Sequence, residues 1–214
     1  MTKAIRALES GNPSVRLRAA MAVGANPDPG FVGPLVERCA VEPEFQVREI
    51  LTWALMRHPA SVTVPRLITE LNTERAQARS QALHTLSKIG DRRAWPAITR
   101  ALLTDADDEV ARSAWRAAVV LVPEDEKAEL AGVLASQLGR GSRETRLSLS
   151  RAIIALGEVI APILREKIVD ADQSVRHHAI ATERLLYDPE AGSEFAIEEA
   201  MRVVALGVAG REGH

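Results

Sequence analysis

Five histidines, one cysteine, a short glycine-rich run and scattered arginines are the side chains of this 214-residue sequence whose types could do chemistry. The histidines are His58, His84, His177, His178 and His214, and none stands at the His-x-x-x-His or H-E-x-x-H spacing that puts two imidazoles on one helical face. Neighbours 177 and 178 point in different directions on a helix, so the pair is a poor chelate and no metal site is expected. Cys39 lies inside "PLVERCA", an apolar helical run, and reads as a small core hydrophobe rather than a nucleophile. No G-x-S-x-G elbow is present, and "GRGSR" at 139–143 lacks both the preceding strand and the GK[ST] ending of a phosphate loop. It reads as an inter-helix turn. No catalytic residue, cofactor or metal is therefore expected, and the chain reads as a non-enzyme.

The arginines belong to a pattern instead. "TDADDEVARSAW" at 104–115 and "VDADQSVRHHAI" at 169–180 are near copies. Aligning that phrase on its valine gives six anchors, Val15, Val47, Ala78, Val110, Thr145 and Val175, at intervals of 32, 31, 32, 35 and 30 residues. Small or apolar residues recur at 0, +4, +7, +8 and +11 from each anchor, one face of an α-helix. These are the second, or B, helices of helical hairpins. Pro34, Pro65, Pro96 and Pro162 precede their anchors by 13, 13, 14 and 13 residues, and each is read as the start of a first, or A, helix, where the missing N–H goes unused. Gly90 and Gly157 read as C-terminal caps of B helices. Position +1 is Arg16, Arg48, Arg79, Arg146 and Arg176, with Ala111 in the fourth copy. These arginines, with the aspartates before them, are expected to hold one repeat to the next by charge-assisted hydrogen bonds.

The stretches "ARSQALHTLSKIGDRRAWPAITRALLTDADDEV" and "RLSLSRAIIALGEVIAPILREKIVDADQSVR" resemble the compact HEAT-like repeats of bacterial HEAT-repeat and phycobilin-lyase-type proteins. The resemblance runs from about residue 12 to 186. It implies an all-α fold, a right-handed α-solenoid of about six two-helix repeats in one domain spanning 1–214. The repeats fall at about 2–26, 31–59, 62–90, 94–122, 124–157 and 159–188, with a capping helix at about 193–208 that could instead form a homodimer. The His-Glu dipeptides of the di-iron hydroxylase related to these repeats are missing. Two departures lie mid-array: Ala111 in the fourth copy, and a fifth A helix in "EDEKAELAGVLASQLGRG" that has no proline and the longest spacing. A thirty-residue hairpin cannot bury its apolar face alone, so the phrase recurs because the interface between repeats recurs.

On each B helix, positions +2, +6 and +9 point away from the core, toward the concave groove of such an array. They include Leu17, Met21, Glu49, Trp53, Met56, His84, Arg112, Arg116 and Arg151. Tryptophan, methionine and arginine are enriched in protein interfaces and lysine and aspartate depleted, and neither of the latter is in this strip. A shift of one position would turn Trp53 into the core, so groove anchor and packing residue are both open for it. Trp95 and Trp115 read as core or staple residues. The expected function is a scaffold that takes a protein or peptide segment in the groove. The alternative is a DNA-binding or DNA-repair protein similar to the HEAT-like alkylpurine glycosylases, which the resemblance associates with groove aromatics, arginines and a carboxylate. Here the strip offers one carboxylate, Glu49, and no aspartate.

Composition sets the outer limits. Hydrophobic residues make up 46%, charged residues 26% and aromatics 3%, the balance of a folded helical chain. The net charge of −2 does not advertise nucleic acid. Residues 1–107 carry 14 Lys/Arg against 11 Asp/Glu and residues 108–214 carry 13 against 18, so any basic site is local. No run reaches the roughly 18 apolar residues that cross a bilayer, and the start has no apolar leader core, so no membrane partner is expected. One cysteine makes no internal disulfide, and the expected location is the cytoplasm.

Overall fold

A computed structural model describes residues 3–188, and every regular element among them is helical. The α-helices are α1 (Lys3–Leu8), α2 (Pro13–Ala25), α3 (Val32–Cys39), α4 (Phe45–Arg57), α5 (Ala60–Glu70), α6 (Ala76–Ile89), α7 (Arg100–Leu103), α8 (Asp108–Leu121), α9 (Lys127–Ala135), α10 (Arg143–Ala155), α11 (Ala161–Lys167) and α12 (Gln173–Tyr187). They alternate short and long, A then B, six times. The expected capping helix at 193–208, and the homodimer reading attached to it, lie outside the described residues.

Local chemistry starts four of the six B helices three residues before the anchor, while α4 and α6 begin without a side-chain cap. Asn12, Asp107, Ser142 and Asp172 each accept a backbone N–H of the first turn: Asp107 Oδ1 takes Glu109 N at 2.9 Å and Val110 N at 3.1 Å, and Asp172 Oδ1 takes Ser174 N at 2.7 Å. Such caps satisfy donors that the helix leaves unpaired. Gly90 ends α6 with φ +70°, the left-handed conformation that a side chain disfavours, and Gly157 follows α10 with φ +79°.

The prolines behave less uniformly than their spacing predicts. Pro34 is the third residue of α3 and Pro162 the second of α11, but Pro96 sits in a 3-10 turn, Arg92–Ala97, ahead of α7. Pro65 is a correction: it lies in the middle of α5, which begins at Ala60. Pro65 and Ser61, whose carbonyl loses its partner, are both exposed, so water can take that hydrogen bond and the helix continues through the ring.

Contacts divide the chain into two compact units, residues 1–137 and 138–214. The division falls inside the expected fifth repeat, between α9 and α10, where the anchor spacing is longest. Two left-handed glycines, Gly139 (φ +85°) and Gly141 (φ +74°), lie at this junction in "GRGSR".

In the first unit α2, α4, α6 and α8 stack side by side as a B layer, with A helices α1, α3 and α5 packed in a second layer, which makes the unit an α-solenoid. In the second unit α10 and α11 both pack on α12. Anchor, +4 and +7 positions are buried in α4, α6, α8 and α10, as the periodicity requires. Ala22, at +7 of α2, is exposed. The reason is visible in the stacking, because +7 of one B helix faces +5 of the B helix before it, and no earlier pair is among the described residues. Where that pairing exists, its chemistry is matched. Thr52 Oγ1 (+5) lies 3.3 Å from Thr85 Oγ1 (+7) in the first unit, and Ser150 Oγ (+5) lies 2.7 Å from Thr182 Oγ1 (+7) in the second, all four side chains buried. Elsewhere in the first unit Ala20 precedes Ala54 and Leu83 precedes Ala117, both pairs apolar and buried.

Candidate functional site

The repeated arginine at +1 has a fixed local task. Arg16 Nη1 donates to the carbonyls of Ser10 and Gly11, Arg48 Nη1 to those of Glu42 and Pro43, Arg79 Nη1 to that of Thr73, and Arg176 Nη1 to those of Asp170 and Ala171. In every case the acceptors lie five or six residues back along the chain, so the guanidinium closes the turn between A and B helices. Two of these arginines also reach the next repeat. Arg16 binds Glu42 through two bonds, Nε–Oε2 at 2.7 Å and Nη2–Oε1 at 2.6 Å, and Arg79 Nη2 lies 3.1 Å from Asp105 Oδ2. Both carboxylates stand five residues before their anchors, a position the sequence reading had not singled out. Glu42 is fully buried and also accepts from Arg38 Nε at 2.8 Å and Glu44 N at 3.1 Å. Burial pushes its carboxyl up, but the Arg16 guanidinium, the Glu44 amide and Arg38 together hold it below the usual carboxylate range. The conspicuous charges of the repeat are therefore fasteners.

The side of the B layer turned away from the core carries the strip expected from the helical register. Met21 on α2 is 47% exposed, and Trp53 and Met56 on α4 are 40% and 45% exposed. Leu17 is half-buried and Glu49 exposed. Trp53 has one edge supported: a Cβ built on Gly24 of α2 would lie 2.4 Å from Trp53 Cζ3, so the indole rests where only a glycine leaves room. The ring is thus seated on α2 yet open to solvent.

Farther along the same layer the chemistry turns polar. His84 of α6 is half-buried, with Nε2 3.4 Å from Glu49 Oε1 of α4. Burial pushes the His84 imidazole below its usual value, Glu49 pulls it up, and Arg116 and Lys88 push it down; the net direction is down, which keeps it neutral at pH 7. On α8, Arg112 Nη1 pairs with Glu109 Oε1 at 2.7 Å. Arg116, one turn on and exposed, donates Nη2 to Ser113 Oγ at 3.0 Å and makes no ion pair with a carboxylate among the described residues. Partial burial, and then the like charge of Arg112, work against the charge on its guanidinium, though an arginine stays protonated regardless. Arg151, exposed on α10, belongs to the second unit.

The remaining singled-out residues are structural. Trp115 is fully buried, its indole N–H donating to the Leu103 carbonyl at 2.8 Å. Trp95 staples the 3-10 turn before α7 to the start of α9 through Glu126 Oε2 at 2.9 Å. Cys39 is buried, and burial pushes its thiol up to about 12, the opposite of an activated nucleophile. His58 is buried with Nδ1 2.8 Å from the Ala54 carbonyl. His178 is buried inside the second unit, where its Nδ1 accepts the Gly139 N–H at 3.0 Å and Nε2 lies 2.9 Å from the Arg146 carbonyl and 3.0 Å from Ser150 Oγ. Exposed His177 takes no part in it, so the adjacent pair divides between core and surface. Among the described residues no cluster of three or more metal-ligating side chains occurs, and no helix is long and apolar enough to cross a membrane.

No curated protein matches the chain. The family model for HEAT repeats matches residues 34–119. That span runs from the first turn of α3 almost to the end of α8 and takes in three successive A–B pairs, with the arginine fasteners Arg48 and Arg79 and the Thr52–Thr85 hydroxyl pair. This stretch of the chain is a run of HEAT repeats.

Proposed function

We propose that this chain is a non-enzymatic scaffold that takes a protein segment across the open face of the B layer in its first unit. HEAT repeats are commonly protein-interaction scaffolds, and the reading goes from that class to a place. The observation that carries it is the exposed apolar triplet Met21, Trp53 and Met56 on two neighbouring helices, beside Glu49 and His84 and within the same layer as Arg112 and Arg116. Aromatic and methionine side chains held rigidly at a surface, with arginines alongside, are the composition of binding hot spots. Leu17 flanks the apolar end. The buried, unpaired Cys39 suits a reducing compartment, and the cytoplasm is the proposed location.

The test is affinity capture with wild type and Trp53→Ala in parallel. The variant should lose partner binding by about 2 kcal/mol or more, the scale of a hot-spot truncation. A captured partner that binds both forms equally would refute the reading. Retention on duplex DNA that falls steeply with salt would point instead to a nucleic-acid interface, since each neutralised phosphate releases counterions.

A further inference from the structure

Arg116 carries an inference that rests on the reading just given and makes it specific. It sits at +6 of α8, the register position that Trp53 occupies on α4 and His84 on α6, so the three side chains lie at one level across successive B helices. The packing order α4, α6, α8 makes them a row. At one end is an open indole with Met56 beside it. In the middle is a half-buried histidine engaged with Glu49. At the far end is an exposed guanidinium hydrogen-bonded to a neutral hydroxyl of its own helix, with a second arginine, Arg112, one turn away and paired with Glu109. Glu109 and Glu49 act on Arg116 only at longer range and form no ion pair with it, so its guanidinium is open to an anion from outside.

We infer that the bound segment is an acidic peptide that crosses the B helices, with an apolar side chain on Trp53 and Met56 and a carboxylate on the Arg116 guanidinium. Packed helices stand roughly 8–10 Å apart, so two steps from α4 to α8 span about 16–20 Å. An extended chain rises about 3.3 Å per residue, which places the anchor and the carboxylate about five or six residues apart. Glu49, exposed beside Trp53, repels a second acid at the apolar end and so sets the direction of the charge asymmetry. His84, under the middle of the crossing, leaves room for a neutral polar residue.

The experiment is selection of a random 12-residue peptide display library on the full chain, and in parallel on Arg116→Glu and Trp53→Ala. Wild type should enrich peptides with an aromatic or aliphatic residue five or six positions from Asp or Glu. Arg116→Glu should weaken the best of them at least tenfold, and changing that peptide acid to Lys should restore binding to Arg116→Glu alone. Arg116→Gln, with an unchanged melting temperature, guards against a folding effect and should also lose the preference for acid. Selected peptides that keep the apolar anchor but show no preferred acid position, or bind Arg116→Glu as tightly, would overturn this inference and leave the broader reading standing. Equal enrichment on Trp53→Ala would remove the broader reading and this one with it. A 20-base-pair duplex DNA held by wild type and released by Arg116→Glu would assign the guanidinium to phosphate and overturn it as well.

Discussion

Two tryptophans with opposite surroundings separate surface from core at the level of single residues. Trp115 is sealed and hydrogen-bonded, so Trp115→Ala should cost about 3–5 kcal/mol of stability in denaturant titration. Trp53, 40% exposed, should cost less than that when truncated, because a large share of its surface was never taken from water. Equal losses for the two would make Trp53 a packing residue. Both tryptophans look alike as letters. Only the helical register distinguishes them, and at the resolution of sequence a slip of one position exchanges their fates; the seat on Gly24 that steadies Trp53 comes from another repeat and has no local signature. His178 shows the same difficulty. Its partners, the Gly139 amide and the Arg146 carbonyl, lie some thirty or more residues away, and burial pushes its imidazole from the ordinary 6.5 down to about 4. An unfolded chain takes up this proton below pH 6.5 and the folded one does not, so the stabilisation is complete above 6.5 and declines as pH falls to 4. The loss should approach about 3 kcal/mol, since each pKa unit is worth about 1.4 kcal/mol. His178→Asn should flatten the difference between stability at pH 6.5 and at pH 4; an unchanged slope would mean another group titrates.

Among the elements, the short turns between A and B helices decide how the pairs hold together. Glu42 is buried under Arg16, Arg38 and its own backbone, whereas Asp105 meets Arg79 with both side chains 17% exposed. Glu42→Ala should strand the Arg16 charge and cost about 3–5 kcal/mol, while Asp105→Asn should cost about 1 kcal/mol or less, read from urea midpoints at constant slope. Comparable values would mean that burial does not govern these fasteners. The arginine half of this device was legible in the sequence because it repeats. The acidic half was not, because its position is Glu42, Asp105 and Asp170 in three copies but Ser10, Thr73 and Arg140 in the others. The A helices were legible as short amphipathic runs and misread in detail at Pro65, since proline spacing alone does not tell whether a ring opens a helix or lies on its solvent side. The B helices came through nearly whole, as their apolar face is written at 0, +4 and +7 in most copies.

At the scale of the molecule, the first unit should be able to stand alone. A chain ending at Gln137 should keep its helical circular dichroism and melt in one cooperative step; a gradual loss of signal would show that its repeats depend on residues beyond the junction. Equal spacing in sequence suggested interchangeable repeats, but the hydroxyl pairs say otherwise. Thr52 answers Thr85 and Ser150 answers Thr182, while alanine and leucine answer alanine elsewhere. Moving a hairpin to another place in the row would set a hydroxyl against a methyl, at the penalty of a buried polar group with a poorer match. The order of the hairpins is thus keyed like the wards of a lock, and an array that gained or lost a copy by recombination would have to re-cut the neighbouring key before it fitted again.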